Sequence, residues 1–158
     1  MQKEKLSTGL GIDFGTKRIG LSLLLLEKEM ISPLKTVLNS RHTLFNELLA
    51  LVREYHVNFF VIGVPPKESI AKKEAYFATQ LSQQTELPVF QVAEGLTTSM
   101  SKNMLSSLRK DSGLRVKTEK ARDILSASLI LEEWLTYYKK NTHGLLQFKP
   151  DRKEETVT

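Results

Sequence analysis

Two hydrophobic periods alternate along this chain. Residues 8–14, TGLGIDF, form a short apolar run that predicts a buried strand, and Gly15-Thr16 supply a turn. Residues 18–26, RIGLSLLLL, alternate apolar and small or polar positions before a leucine run and predict a second strand. EKE at 27–29 reads as a turn and MISPLKTV at 30–37 as a third strand. Pro33 assigns that strand to a sheet edge or a bulge, because proline cannot donate to the ladder. The period then changes. Leu44, Leu48, Leu51, Val52 and Tyr55 recur at steps of three and four and predict a helix over 41–56. VNFFVIGVPP at 57–66 is a continuous apolar run stopped by Gly and Pro, as in a central strand covered on both faces. A second helix follows over 68–85, with Ala71, Ala75, Phe77, Ala78 and Leu81 on its apolar face, and LPVFQVAEG at 87–95 is a further strand. Residues 96–110 predict a third helix, capped by Thr97 or Thr98, with Met100, Met104, Leu105 and Leu108 on one face. After the loop DSGLRVK, the last helix is expected over about 119–140. The polar tail, 141–158, is expected to be loosely held.

The order βββαβαβαα implies an α/β fold: one domain over residues 1–140, a mixed sheet with helices on both faces. Sites in such sheets form beyond the C-terminal ends of the parallel strands. Asp13, the segment Gly63-Val64-Pro65 and Glu94 all fall at strand ends expected to share one rim.

Composition narrows the chemistry. A chain of 158 residues, 41% hydrophobic and 26% charged, suits one soluble domain. With no cysteine, disulfides and cysteine-based zinc sites are excluded. His42, His56 and His143 show no ligand spacing. No apolar stretch is long enough to span a bilayer, and the N-terminus lacks a secretory pattern, so a cytoplasmic protein without membrane association is expected. The net charge of +5 favours a nucleic-acid partner weakly, because the cations are dispersed.

Three acids are candidate metal ligands and catalytic groups: Asp13, Glu94 and Asp123. Each has an ordinary reading alone. Asp13 can satisfy a turn, Glu94 can be a solvated strand end, and Asp123 can sit favourably near a helix N-terminus. Yet Asp123 lines up with Ala127, Ile130 and Trp134, an apolar stripe in which a lone charge is costly. Two acids at neighbouring strand ends and a third on a helix packed across them would form a carboxylate cluster. Such charges repel unless a cation holds them, and hard oxygen ligands point to Mg²⁺ or Mn²⁺, one ion or two. These ions suit in-line displacement at phosphorus, activating water and steadying the leaving oxygen. On this reasoning Asp123→Asn would raise stability in metal-free buffer by relieving repulsion. Gly15 would let a phosphate approach the backbone. Lys17 and Arg18 would alternate sides, one facing nucleic acid and the other bracing the fold.

GIDFGTKRIGLSL, FVIGVPP, VAEGLTTSMSKNML, SGLR and ARDILSASLILEEWL occur in that order between about residues 9 and 138. They resemble the motifs of the YqgF (RuvX) family, bacterial RNase H-like proteins described as pre-16S rRNA nucleases and as Holliday junction resolvase homologues. The resemblance implies an RNase H-like mixed five-stranded sheet flanked by helices. It implies metal-dependent phosphodiester hydrolysis, with maturation of the 5′ end of 16S rRNA as the role and precursor 16S rRNA as the partner. The family's acidic site carries over to Asp13, Glu94 and Asp123. Thr97 and Thr98 match its LTT or LST motif, and Arg115 matches an arginine implied to contact phosphate. The chain departs from the pattern at Ala93-Glu94-Gly95, where the family reads Asp-Glu-Arg, at the shorter GVPPKES, and at Arg122. Alternatives from the same residues are a resolvase acting on branched DNA, which would need a dimer, and a non-catalytic rRNA-binding module. A monomer or weak homodimer is expected. IDFGT also resembles the phosphate loop of actin-like ATPases, but those need two lobes and this chain has room for one.

Overall fold

The computed structural model describes residues 5–93 and 119–141. The chain opens with a meander of β1 (Thr8–Asp13), β2 (Arg18–Leu25) and β3 (Met30–Leu38). Then follow α1 (Leu44–Tyr55), β4 (Phe59–Val64), α2 (Glu68–Thr85), β5 (Val89–Ala93) and α3 (Glu119–Lys140). The five strands form one sheet in the order β3-β2-β1-β4-β5. β1 pairs antiparallel with β2 and parallel with β4, and β4 pairs parallel with β5. This is the expected mixed five-stranded sheet. The third helix and the tail expected beyond Asn141 lie outside the described residues.

Pro33 sits where its missing N–H does least harm. β3 is an edge strand, and its register with β2 shifts between Leu21 and Ser22, which face Lys35 and Pro33. Leu34 is the extra residue of a bulge. α1 and α2 both end in a left-handed residue, His56 (φ 55) and Glu86 (φ 57), whose N–H groups donate to Val52 and Ser82 carbonyls. β4 is shorter than the apolar run that announces it. Val57 N–H closes α1 on the Val52 carbonyl, and Asn58 N–H donates to the Thr8 carbonyl before the strand begins. The Asn58 side chain accepts from the Ser7 and Thr8 N–H groups and donates to the Lys5 carbonyl, fastening the approach to β1.

Strand alternation divides the core in two. Leu10, Ile12, Ile19, Leu21, Phe60 and Ile62 face α1 and α2. Leu24, Phe59, Val61, Phe90 and Val92 face α3, where they meet Ile130, Leu131 and Trp134. The Trp134 ring lies 4.9 Å from Phe59 and 5.4 Å from Phe90, so it is core, as its helical spacing predicts. α2 corrects the expected pattern. Its buried residues are Glu74, Phe77, Ala78 and Leu81, while Ala75 is exposed. Inside, Gln91 Nε2 on β5 donates to both Glu74 carboxylate oxygens, at 2.8 and 2.9 Å, one of the contacts that offset the burial of this acid.

Candidate functional site

The parallel strands β1, β4 and β5 end at one edge of the sheet, where Asp13, Gly63 and Val92 lie in one row. Gly9 and Gly11 precede Asp13 on the same face of β1, and a Cβ on Gly11 would strike Leu131 and the Ala127 carbonyl of α3. Asp13 therefore belongs to the α3 face of the sheet, at the edge where the parallel strands end. Its cross-strand partner is Gly20.

Gly20 brings the second acid in. A Cβ built there would lie 2.1 Å from the Asp123 carbonyl oxygen and 2.9 Å from the Asp123 Cβ. The first turns of α3 thus rest directly on the backbone of β2, an approach that only glycine permits. Asp13 and Asp123, distant in sequence, are both neighbours of Gly20, one across the strand pair and one above it. The stripe below Asp123 is buried as expected, at Ala127, Ile130 and Trp134, and anchors the helix in this position.

Arg18 shares this face. Its Nε donates to Asp123 Oδ2 at 3.0 Å, with both side chains about one quarter exposed. Of the two adjacent cations, Arg18 braces the acid and Lys17 is exposed. The Arg18 contact removes the basis for expecting stabilisation from Asp123→Asn, because this carboxylate already faces a cation.

The turn between β1 and β2 is fastened from β3. Asn39 Nδ2 donates to the Gly15 carbonyl at 2.8 Å, and Asn39 N–H donates to the Lys17 carbonyl at 2.9 Å. Gly15 is required by the turn itself, since a Cβ there would lie 2.3 Å from the Arg18 carbonyl oxygen. Neither Asn39 nor Gly20 stands out among the candidate site residues read from the sequence. A glycine inside a strand was the available signal for Gly20. Asn39 offered none.

Glu94, Thr97 and Arg115 lie outside the described residues. Among the described residues no group of three or more His, Asp or Glu side chains is placed to hold a metal ion. The donor set at this edge, two carboxylates in a chain with no cysteine, fits a hard divalent cation. His42 and His56 are exposed, and His143 lies outside the described residues. Among the described residues, no helix is long and apolar enough to cross a membrane.

Comparison with known proteins gives the chain its relatives. The chain is 32% identical over 138 residues to a Rickettsia felis protein named "Putative pre-16S rRNA nuclease", covering 83% of this chain and 87% of that one. A Maridesulfovibrio salexigens protein of the same name is 32% identical over 133 residues, covering 80% and 96%. Among solved structures, T. thermophilus RuvC in complex with a Holliday junction substrate superposes with a TM-score of 0.60 at 13% identity, covering 86% of this chain and 97% of that one. That likeness shows the fold, which is RNase H-like. The family model for RuvX, Holliday junction resolvase, matches residues 7–137, and the chain belongs to this family.

Proposed function

We propose that this protein is a nuclease that hydrolyses phosphodiester bonds in structured RNA with Mg²⁺ or Mn²⁺, and that it matures the 5′ end of pre-16S rRNA in the cytoplasm. The observation that carries the reading is the meeting of Asp13 and Asp123 at Gly20, on the edge where the parallel strands end. The names of the relatives support RNA as substrate. Asp13, Asp123 and Glu94, which directly follows the last residue of β5, would hold the metal. When bound, such an ion supplies the charge that activates water and steadies the leaving oxygen.

The chain's own groups do the rest. Arg18 holds the Asp123 carboxylate in one orientation, and Asn39 fixes the turn that follows Asp13. Lys17, Arg18, Thr97 and Arg115 are assigned to the substrate backbone, where cations and hydroxyls position without reading sequence. For Arg18 this means a guanidinium shared between Asp123 and a phosphate.

The family description favours a second reading, resolution of branched DNA. One experiment separates the two. A 5′-extended 16S rRNA fragment and a four-way DNA junction are each incubated with wild type and Asp13→Asn, in Mg²⁺, Mn²⁺ or EDTA. Metal-dependent cutting of the RNA, lost in the variant, supports the first reading. Symmetrical cutting of the junction alone supports the second. Binding of RNA without cutting under any metal would overturn both and leave a non-catalytic module, with Ala93 and Gly95 the first positions to revert.

A further inference from the structure

The opposite face of the sheet carries a feature that this chemistry does not use. A cleft of about 890 Å³ opens between the start of α1 and one flank of α2. Its floor is aromatic. The Phe14 ring lies 5.2 Å from Phe77, and Phe77 lies 5.7 Å from Phe45. Its rim is basic, with Arg41, Lys72 and Lys73 all exposed. Glu68 lies 3.9 Å from Lys72, but both side chains are more than three-quarters exposed, so the pair ties up little of that charge. Tyr76 stands on the rim with 68% of its surface exposed. Its hydroxyl accepts from Gln80 Nε2 at 2.9 Å, and Gln84 Nε2 lies 3.4 Å from Gln80 Oε1. A lone exposed tyrosine is ordinary. One steadied by a neighbouring amide, beside three cations and over an aromatic floor, has the make-up that stacking platforms in basic grooves share.

The position connects this cleft to the acids. Phe14 follows Asp13 directly, and strand alternation sends the two side chains to opposite faces. The cleft therefore begins on the other side of the strand end from the carboxylates. We propose that it receives a single-stranded stretch of the RNA substrate adjoining the scissile phosphate. This rests on the nuclease reading above and extends it. Cations along the rim meet the phosphates, Tyr76 stacks on an unpaired base, and the amides of Gln80 and Gln84 face base edges. A duplex fits poorly, because its bases are stacked on one another and withhold their faces. A substrate with an unpaired segment beside its cut would thus be held on both sides of the strand end.

The test needs no turnover, so it stands apart from the nuclease reading. Binding of the full chain to a fluorescein-labelled ten-nucleotide oligouridylate and to a ten-base-pair RNA duplex is followed by anisotropy in EDTA across a salt series. Wild type is expected to bind the single strand more tightly than the duplex. Tyr76→Ala is expected to weaken single-strand binding by about 10-fold, the loss of one stacked base. The double variant Lys72→Gln, Lys73→Gln is expected to flatten the slope of log K against log salt by about 1.4, two phosphate contacts on a single strand. Because these side chains are exposed, unfolding temperatures are expected to stay at the wild-type value. Wild-type affinity and salt slope in both variants would overturn the proposal, as would equal affinity for duplex and single strand, or no RNA binding at all.

Discussion

Gly20→Ala asks the most direct question of this structure. The added methyl would sit 2.1 Å from the Asp123 carbonyl oxygen and 2.3 Å from its carbonyl carbon. Both are backbone atoms of a helix held down by Ala127, Leu131 and Trp134, so no side chain can swing aside. Ordinary contact begins near 3.4 Å, so the start of α3 must lift by about 1 Å. Overpacking of this kind costs about 1–3 kcal/mol. For a chain of this size that lowers the unfolding temperature by about 3–9 °C. Asp123 moves with the helix while Asp13 stays on its strand, and a shift of about 1 Å at a catalytic site can cost about 10²-fold in rate. Gly11→Ala is the control. It also collides with α3, at Leu131 and the Ala127 carbonyl, but a helical turn further from Asp123. Thermal unfolding, Mn²⁺ affinity by calorimetry and RNA cleavage are measured for both. Both variants should lose stability, and Gly20→Ala should lose metal affinity and cleavage out of proportion to that loss. Wild-type unfolding and metal binding in Gly20→Ala would refute the argument that this contact assembles the site.

Asp123→Asn should abolish metal-dependent cleavage and, because the partly exposed ion pair with Arg18 at 3.0 Å is lost, change metal-free stability by no more than about 1 kcal/mol. A clear rise in unfolding temperature would mean that repulsion between the acids outweighs the Arg18 contact. Asn58→Ala removes three hydrogen bonds that fasten residues 5–8 and should cost about 1–3 kcal/mol in urea unfolding. Ser22 Oγ is buried with no hydrogen-bond partner among the described residues, so Ser22→Ala should leave the unfolding midpoint unchanged or raise it, and a loss above about 1 kcal/mol would contradict that reading. Trp134→Ala empties the aromatic cluster against Phe59 and Phe90 and should cost about 3–5 kcal/mol by the same assay.

Much of the fold was legible because burial leaves a local trace. The period-two and period-3.6 patterns placed each described strand and helix, and helices 68–85 and 119–140 match in extent. Pro33 announced an edge or bulge, and β3 is both an edge strand and bulged. The pattern failed where polarity misleads. Ala71 and Ala75 were read onto the apolar face of α2, yet Glu74 takes the buried position there. One of its partners is Gln91 on the next strand, and no local pattern records that pair.

The same division separates the site's parts from its assembly. Sequence alone marked out the candidate acids: one at the end of β1, and another at the head of an apolar helical stripe. Both follow from short-range periodicity. Only the tertiary structure decided that Asp123 rests on Gly20, that Arg18 rather than Lys17 faces it, and that Asn39 ties down the turn after Asp13. Arg18 and Asp123 are 105 residues apart, and their meeting depends on α3 docking where β2 presents a bare backbone. Side-chain period is a property of neighbours along the chain, whereas the proximity of two charges is set by how whole elements pack.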